Sequence, residues 1–496
     1  MSSPLGPFDQ VVAVSQKQIN NAFFIKSKID STLANITIEN DWGSINSSMN
    51  APSIVLCVPG DHTATTCRFQ LNFKEGTFKY NPTPQSPVAT TSVNGWTLAW
   101  NVNLGLSALE DPQIPQNIRE KIIIPGTYSV SQLFLDFTLV DVMKFDPEHS
   151  SVPGLDPKAL PSLSMFLGEY FRLLEDGSHH GLGYATTVSD PVVAHPQAPT
   201  FPLTALAFQT MASTDNNPDH NVLLFLEMTG NRPLPSIIPI LPPYAWADSE
   251  SETMAITGSK FAEYLANNTK FINLHALNIL NDAHHWVVDR SGLPTPETWI
   301  LSNDKDSNSI IVDWNQSTGT SRSFNWSSTT KGDDSTGFWS KLAGSAVWST
   351  ESSLSVDLSV VPGTDKVTYT VTGKSTRHHS SASWGTLSSG SQNVSFSFVI
   401  TLTLTSVKDG MLESTWSTTD PVFQASIKDL VDDNQGAAMV VEELHRYWTT
   451  EGLVNHFKSA MAQQPQFVFP GAGTFVMKNP RFNQTCDVTV QFQYMN

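Results

Sequence analysis

Charge is scarce in this chain. Only 15% of its 496 residues are Asp, Glu, Lys or Arg, and the shortage is greatest on the basic side, with 28 Lys and Arg against 46 acidic residues and a formal net charge of -18. No Lys/Arg cluster gathers these few cations and no aromatic residues interleave with them, so long-range electrostatics argue against nucleic acid and anionic membrane surfaces as partners. Cysteine is as sparse. Cys57, Cys67 and Cys486 are an odd number without a Cys-x-x-Cys spacing, which argues against a disulfide framework or a thiolate metal site and leaves reduced, buried thiols. No apolar run approaches the roughly 18 residues of a membrane span, and the opening MSSPLGPFDQVV has neither a basic n-region nor an apolar h-region. The expected location is the cytoplasm, without stable membrane insertion.

Cofactor signatures are missing as well. There is no G-x-G-x-x-G, Walker A loop, His-Glu-x-x-His or G-x-S-x-G. The stretch SNDKDSN imitates the first half of a calcium loop at Asp304, Asp306 and Asn308, but Ser309 stands where the loop needs Gly and Asn315 where it needs Glu. GDDSTG and VDDNQG lack the second acidic group of an Asp-Asp-x-x-Asp motif. The expectation is a protein with no metal and no organic cofactor.

What the chain does have is alternation. RFQLNFKEGTFKY puts Phe69, Leu71 and Phe73 on one face, breaks at Glu75-Gly76 and resumes with Phe78 and Tyr80, the pattern of a hairpin. WTLAWNVNLGLSAL alternates Trp96, Leu98, Trp100, Val102, Leu104 and Leu106 with smaller or polar residues, a long half-buried strand. QLFLDFTLVDVMKFD reads as a strand buried on both faces, SVDLSVVPGTDKVTYTVTG as a hairpin turning near Pro362-Gly363, and VSFSFVITLTLTSV as a strand carrying Val394, Phe396, Phe398, Ile400, Leu402 and Leu404 on one side. Helical spacing is confined to a few places. Ser15 with Gln18 is a capping-box pattern that opens a helix with Ile19, Ala22 and Phe23 on its apolar face. PSLSMFLGEYFRLLED places Leu163, Phe166, Leu167, Tyr170, Phe171 and Leu174 at helical spacing behind Pro161, and further helical pattern spans about 259–282 and 436–461.

The fold class is therefore mainly β with several helices (α+β): long curved antiparallel sheets wrapped around helices, with an apolar cavity where the helices do not fill the trough. Three regions are expected: 1–230, an N-terminal helix with curved sheet; 231–300, a Pro-rich and helical connection; and 301–496, a β-meander rich in Trp, Ser and Thr with a C-terminal helix and ribbon.

The two ends carry a family resemblance. VVAVSQKQINNAFF and PQFVFPGAGTFVMKNPRFNQTCDVTVQFQY resemble the tubular lipid-binding (TULIP) proteins encoded beside clostridial neurotoxins, in a Ser-x-x-x-Ile-Asn-x-Ala type helix and a Phe-Pro-Gly turn. The likeness covers about 45 residues and implies a helix wrapped by a curved sheet with apolar ligands bound between them. In general character the chain is also similar to the fungal hetero-Diels-Alderases, which implies no residue roles.

Candidate chemistry centres on NDAHHWVVDR. His284, His285, Asp289 and Arg290 set an acid-base group beside an ion pair, with Trp286 as an aromatic face, after a helix. Histidine titrates near neutral pH and suits proton transfer to a phenol or carbinol. The same cluster also reads as a surface or interface group. Trp96 and Trp100 suit stacking on a planar ligand, with Phe396 and Phe398 as a further apolar wall, while core packing explains the tryptophans equally well. The reading that follows is an apolar small molecule or lipid bound in an enclosed cavity, with a homo-oligomer left open. Chemistry would make the protein a cofactor-independent cyclase of secondary metabolism, joining a terpene to a polyketide-derived quinone methide by holding the two reactants in near-attack geometry. Without chemistry it would be a lipid-binding or toxin-accessory protein.

Overall fold

The computed structural model describes residues 3–60, 64–81, 87–120, 128–138, 140–177, 179–188, 198–242, 252–289, 312–315, 319–334, 344–383, 386–428, 434–471 and 475–494. In chain order its elements are β1 (Gln10–Ser15), α1 (Gln16–Ile29), α2 (Ser31–Ala34), β2 (Asn35–Asn40), β3 (Gly43–Leu56), β4 (Thr66–Tyr80), β5 (Ala89–Ser92), β6 (Thr97–Leu109), α3 (Gln116–Arg119), β7 (Tyr128–Asp136), α4 (Leu160–Asp176), β8 (Gly181–Val188), β9 (Leu203–Met211), β10 (Val222–Thr229) and β11 (Glu252–Ile256). There follow α5 (Gly258–Asn268), α6 (Lys270–Asp289), β12 (Ser321–Asp334), β13 (Gly344–Val360), β14 (Lys366–Ser383), β15 (Thr386–Lys408), β16 (Met411–Thr418), β17 (Val422–Lys428), α7 (Asn434–Tyr447), α8 (Thr450–Met461), β18 (Phe475–Phe482) and β19 (Val488–Tyr494). The chain is mostly strand, and its antiparallel sheets include one curled into a half-barrel.

The residues divide into two compact units. The first comprises Met1–Ala255, Val468–Lys478 and Val490–Asn496; the second, Ile256–Phe467 and Asn479–Thr489. One boundary falls inside β11, between Ala255 and Ile256.

In the first unit a seven-stranded sheet runs β2-β3-β4-β6-β7-β8, with β5 paired to β4. The opening helix α1 lies on β3. Ser15 Oγ accepts from Gln18 N at 3.4 Å, as the capping pattern predicts. Ile19 and Phe23 are buried, whereas Ala22, expected beside them, is exposed. Asn20 clamps the strand in both directions, its Nδ2 donating to Ile54 O at 3.0 Å and its Oδ1 accepting from Ile54 N at 2.8 Å. On α4 all six residues of the predicted face are buried, and the Tyr170 hydroxyl donates to Thr32 O at 2.8 Å.

Two strand expectations are corrected here. RFQLNFKEGTFKY is not a hairpin but one continuous strand, β4. Ser48 pairs with Glu75 and Met49 with Phe73, so Lys74 is an extra residue, a β-bulge. One inserted residue moves the apolar phase from odd positions (69, 71, 73) to even ones (78, 80), which is the break the sequence shows. Gly76 beside it has φ of +154°, and a Cβ there would stand 2.3 Å from Asn46 O, so glycine marks a close approach of backbones and no turn. The strand expected in QLFLDFTLVDVMKFD ends at Asp136, which accepts from Thr138 N at 3.0 Å and starts an Asx turn.

A second sheet has the order β18-β19-β11-β1-β10-β9. One of its faces builds a core from Val11, Ala13, Leu224, Leu226 and Met228 under Leu5 and Phe8. On the opposite face, one step along the pleat, Gln10 stands opposite Glu227.

In the second unit a six-stranded sheet runs β12-β13-β14-β15-β16, with β17 also paired to β15. β13 and β14 form the expected hairpin, with Gly363 at φ +71° in its turn. The helical stretch expected at about 259–282 is broken at Thr269, which ends α5, and the one at 436–461 at Thr449, whose Oγ1 accepts from Gly452 N at 3.1 Å to cap α8.

Candidate functional site

Strict alternation governs the inner face of the second unit's sheet. Even-numbered residues 348–360 of β13, odd-numbered residues 367–379 of β14 and even-numbered residues 392–404 of β15 point inward and are buried, and the pairing lines them up as rungs. Four rungs are apolar: Val360–Val367–Leu402, Leu358–Tyr369–Ile400, Val356–Val371–Phe398 and Leu354–Gly373–Phe396. In the last of these a Cβ on residue 373 would stand 2.3 Å from the Phe396 ring, so Gly373 makes room for that ring. The next three rungs change character to Ser352–Ser375–Val394, Thr350–Arg377–Gln392 and Trp348–His379–Gly390. The first two of them are buried as deeply as the apolar ones, with Ser375 and Arg377 0% exposed, and burial loosens only at the third, where Gly390 is half-buried. None of these inward positions is acidic.

The helix α6 runs along β14. Its buried face includes Ile272, Ala276, Ile279, Leu280 and Ala283. Thr269, just before it, lies beside the Tyr369 hydroxyl, and His284 meets Ser375. Fifteen residues of helix and six of strand both span about 20 Å, so helix and strand keep pace between these two contacts.

His284 ends the apolar seam. Its Nδ1 is 3.1 Å from both Ser352 Oγ and Ser375 Oγ, and the two hydroxyls are 2.9 Å apart. Burial, then the charges of Arg377 and His285, pull its pKa from 6.5 down to about 4, so the imidazole is neutral at pH 7. Burial also draws Arg377 down to about 10, which still leaves it charged, and its guanidinium carbon sits 4.9 Å from the centroid of the Trp348 ring. On either side of Arg377, Thr350 Oγ1 and Gln392 Oε1 are buried with no hydrogen-bond partner among the described residues. This layer is buried and polar.

The residues singled out from the sequence do not converge on one place. His284, Phe396 and Phe398 belong to the inner face, but His285, one helical position on, is exposed. Trp286 and Asp289 lie on α6 with side chains outside the described residues, and Arg290 lies outside them altogether. Trp96 and Trp100 belong to the first unit. Each is 1% exposed; the Trp96 indole donates to Pro153 O at 3.1 Å and that of Trp100 to Val142 O at 3.2 Å, so both polar handles are used locally. Trp100 packs edge-on against Phe171 at 5.0 Å and also lines a cleft of about 680 Å³ with Val140, Lys144, Phe145 and Asp146. Arg377, Thr350, Ser352, Ser375 and Gln392 escaped the sequence reading. Their signal was phase: each continues the inward alternation of its strand past the last large apolar residue.

Among the described residues no group of three or more His, Cys, Asp and Glu is placed to hold a metal, and no helix is long and apolar enough to cross a membrane.

No family model and no curated protein matches the sequence. Solved structures do match. P47 of Clostridium botulinum E1 aligns over 98% of this chain and 99% of its own, with a TM-score of 0.50 and 12% identity. P47 from Clostridium botulinum A2 aligns over 98% and 96%, with a TM-score of 0.48 and 12% identity. Lipopolysaccharide binding protein aligns over 99% and 100%, with a TM-score of 0.34 and 11% identity. With the E1 protein, at 12% identity, it is the fold that is shared, and the resemblance to tubular lipid-binding proteins, read from about 45 residues at the chain ends, extends there to nearly the whole chain as a remote likeness.

Proposed function

We propose that the protein binds a lipid-like amphiphile on the inner face of the second unit's sheet, beside α6. The observation that carries this reading is the change along one continuous face from four apolar rungs to two polar ones, Ser352–Ser375–Val394 and Thr350–Arg377–Gln392, without loss of burial. A core that served packing alone would gain nothing from the polar rungs, since each buried polar group costs free energy unless it is hydrogen bonded. A molecule with an apolar tail and a polar end matches both halves. The fold shared with P47, a TULIP-like protein, supports the same reading. The test is displacement of the neutral fluorophore N-phenyl-1-naphthylamine from the purified, delipidated protein. Oleate is expected to displace it at micromolar concentration, and Phe398→Asp to abolish probe binding with the circular dichroism spectrum retained. If the wild type takes up neither probe nor oleate, the reading fails.

A second reading keeps the cofactor-independent cyclase. What supports it is His284, a neutral base hydrogen bonded to two hydroxyls at the end of an apolar seam, a group able to accept a proton. Incubation with a humulene-type terpene and a quinone-methide precursor decides it. Cycloadduct formed faster than in buffer, and slowed about 10²-fold by His284→Gln, is the expected outcome for that reading. An unchanged background rate discards it.

A further inference from the structure

Charge summed over the whole chain argues against an anionic membrane as partner, but the opening helix carries the opposite sign. Within Gln16–Ile29 stand Lys17, Lys26 and Lys28 and no acidic residue. The helix α1 sorts its side chains by direction. Gln16, Ile19 and Phe23 are buried, and on the far side, at helical spacing, Lys17, Asn21, Phe24, Ile25, Lys28 and Ile29 are exposed. Phe24 is 54%, Ile25 58% and Ile29 84% exposed, three large apolar side chains on one outer face. A helix that served only to cover β3 would be polar there, and a contiguous exposed apolar strip marks an interaction surface. Cations are set into this strip. Lys28 Nζ lies over the Phe24 ring, 4.7 Å from its centroid, and Lys17 stands three turns back on the same face, about 16 Å along the axis. We propose that this outer face of α1 docks the protein reversibly on a bilayer that contains anionic lipid. Phe24, Ile25 and Ile29 enter the boundary between headgroups and acyl chains, and the lysine stems carry their ammonium groups to lipid phosphates.

Screening limits what the rest of the chain can oppose. At physiological ionic strength a charge acts over about 8 Å, so acidic residues elsewhere on a chain of net charge -18 do not cancel a local cationic face. Asp30, at the C-cap of α1, is paired with His179 at 2.7 Å, and Lys26, on the flank of the helix, donates to Gly181 O at 3.3 Å. At the other end the turn Pro218–His220 packs on the helix and carries Asp219, with Asp215 paired to His220 at 2.6 Å. The N-terminal end of the face therefore has acids beside it, and Lys28 is the cation placed to contribute more. A second copy of the chain would also offer acidic groups to the lysines. A convex helix face, however, needs a groove in a protein partner, whereas a bilayer yields to it. The docking face is independent of the amphiphile reading, which concerns the second unit.

The experiment is co-sedimentation of the full-length protein with sucrose-loaded vesicles, made of phosphatidylcholine alone or with about a third phosphatidylglycerol. Binding to the anionic vesicles is expected to be at least about tenfold tighter than to the neutral ones and to fall away in high salt. Lys28→Gln should weaken anionic binding about fivefold, and Ile29→Gln at least about tenfold. Val422→Gln, which removes a comparably exposed apolar side chain from the second unit, should leave it unchanged. All three substitutions lie on the surface, so displacement of N-phenyl-1-naphthylamine by oleate should match the wild type in each, which separates failure of docking from failure of the amphiphile reading. No sedimentation with either vesicle, equal binding to both, or anionic binding unaffected by Lys28→Gln and Ile29→Gln overturns the inference. A dimer that forms without lipid and dissociates in Ile29→Gln, read by analytical ultracentrifugation, assigns the face to a second copy and overturns it as well.

Discussion

Replacing Glu227 by Gln exchanges a buried acid for a neutral side chain of the same shape, and the effect on stability follows from where the acid's proton goes. Glu227 stands between Gln10 on β1 and Leu206 on β9, and desolvation by burial raises its pKa from 4.5 to about 8. Asp9, the residue before β1, is ion-paired with Arg232. The folded chain therefore holds the proton up to about pH 8, whereas the unfolded chain releases it near pH 4.5. Below pH 4.5 both states are protonated and stability is at its fullest. As pH rises the unfolded state alone ionises, and each unit removes about 1.4 kcal/mol until the folded pKa is passed. At pH 7 the loss amounts to roughly 3 kcal/mol, on the order of 5 °C in melting temperature for a unit of this size. Glu227→Gln should thus match the wild type at pH 4 and melt several degrees higher at pH 8. Melting curves followed by circular dichroism from pH 4 to 9 measure the difference. Curves that stay parallel across that range would refute the argument, since they would mean that the carboxyl ionises in the folded chain at no cost.

Acid acts on the second unit in the opposite sense. Burial lowers His284 and His275 to about 4, so their contribution is complete above pH 6.5 and is lost as pH falls toward 4; His284→Gln should flatten this loss in melting curves between pH 6.5 and 4.5. Gly373→Ala brings a methyl group to 2.3 Å from the Phe396 ring and should cost about 1–3 kcal/mol, read as a shift in the chemical denaturation midpoint. Ser15→Ala removes the cap of α1 and should cost about 1 kcal/mol, with faster amide exchange confined to the first turn of that helix, Gln16 to Ile19.

The elements that sequence pattern revealed are those whose side chains are sorted by a single face. α4 was readable because its six buried residues meet one core, and VSFSFVITLTLTSV because β15 is wetted on one side only. β4 was misread because a phase change has two causes, a turn and a bulge, and local residues do not distinguish them; what selects the bulge is the partner strand, which places Ser48 opposite Glu75. The candidate site was half readable for a related reason. Phe396 and Phe398 announce an apolar face, but a lone Arg377 in STRHHSSAS looks like a solvated residue until the register with Thr350 and Gln392 shows that the inward phase runs through it. His284 and His285 are equivalent as letters, and only the direction of α6 along β14 separates them.

The strand order of the first unit's second sheet has a consequence for how the chain is made. β1, at residues 10–15, sits between β11 and β10, and the neighbour of β11 on its other side is β19, at residues 488–494. As the chain leaves the ribosome, β1 waits about 200 residues for β10, and the outer edge of β11 waits more than 200 further for β19. Closing such long loops is slow, and an uncovered strand edge is a template for pairing with another chain. Loss of Val490–Tyr494 would leave β11 with an open edge over most of the length of β19, and aggregation during synthesis is the failure such a deletion would produce.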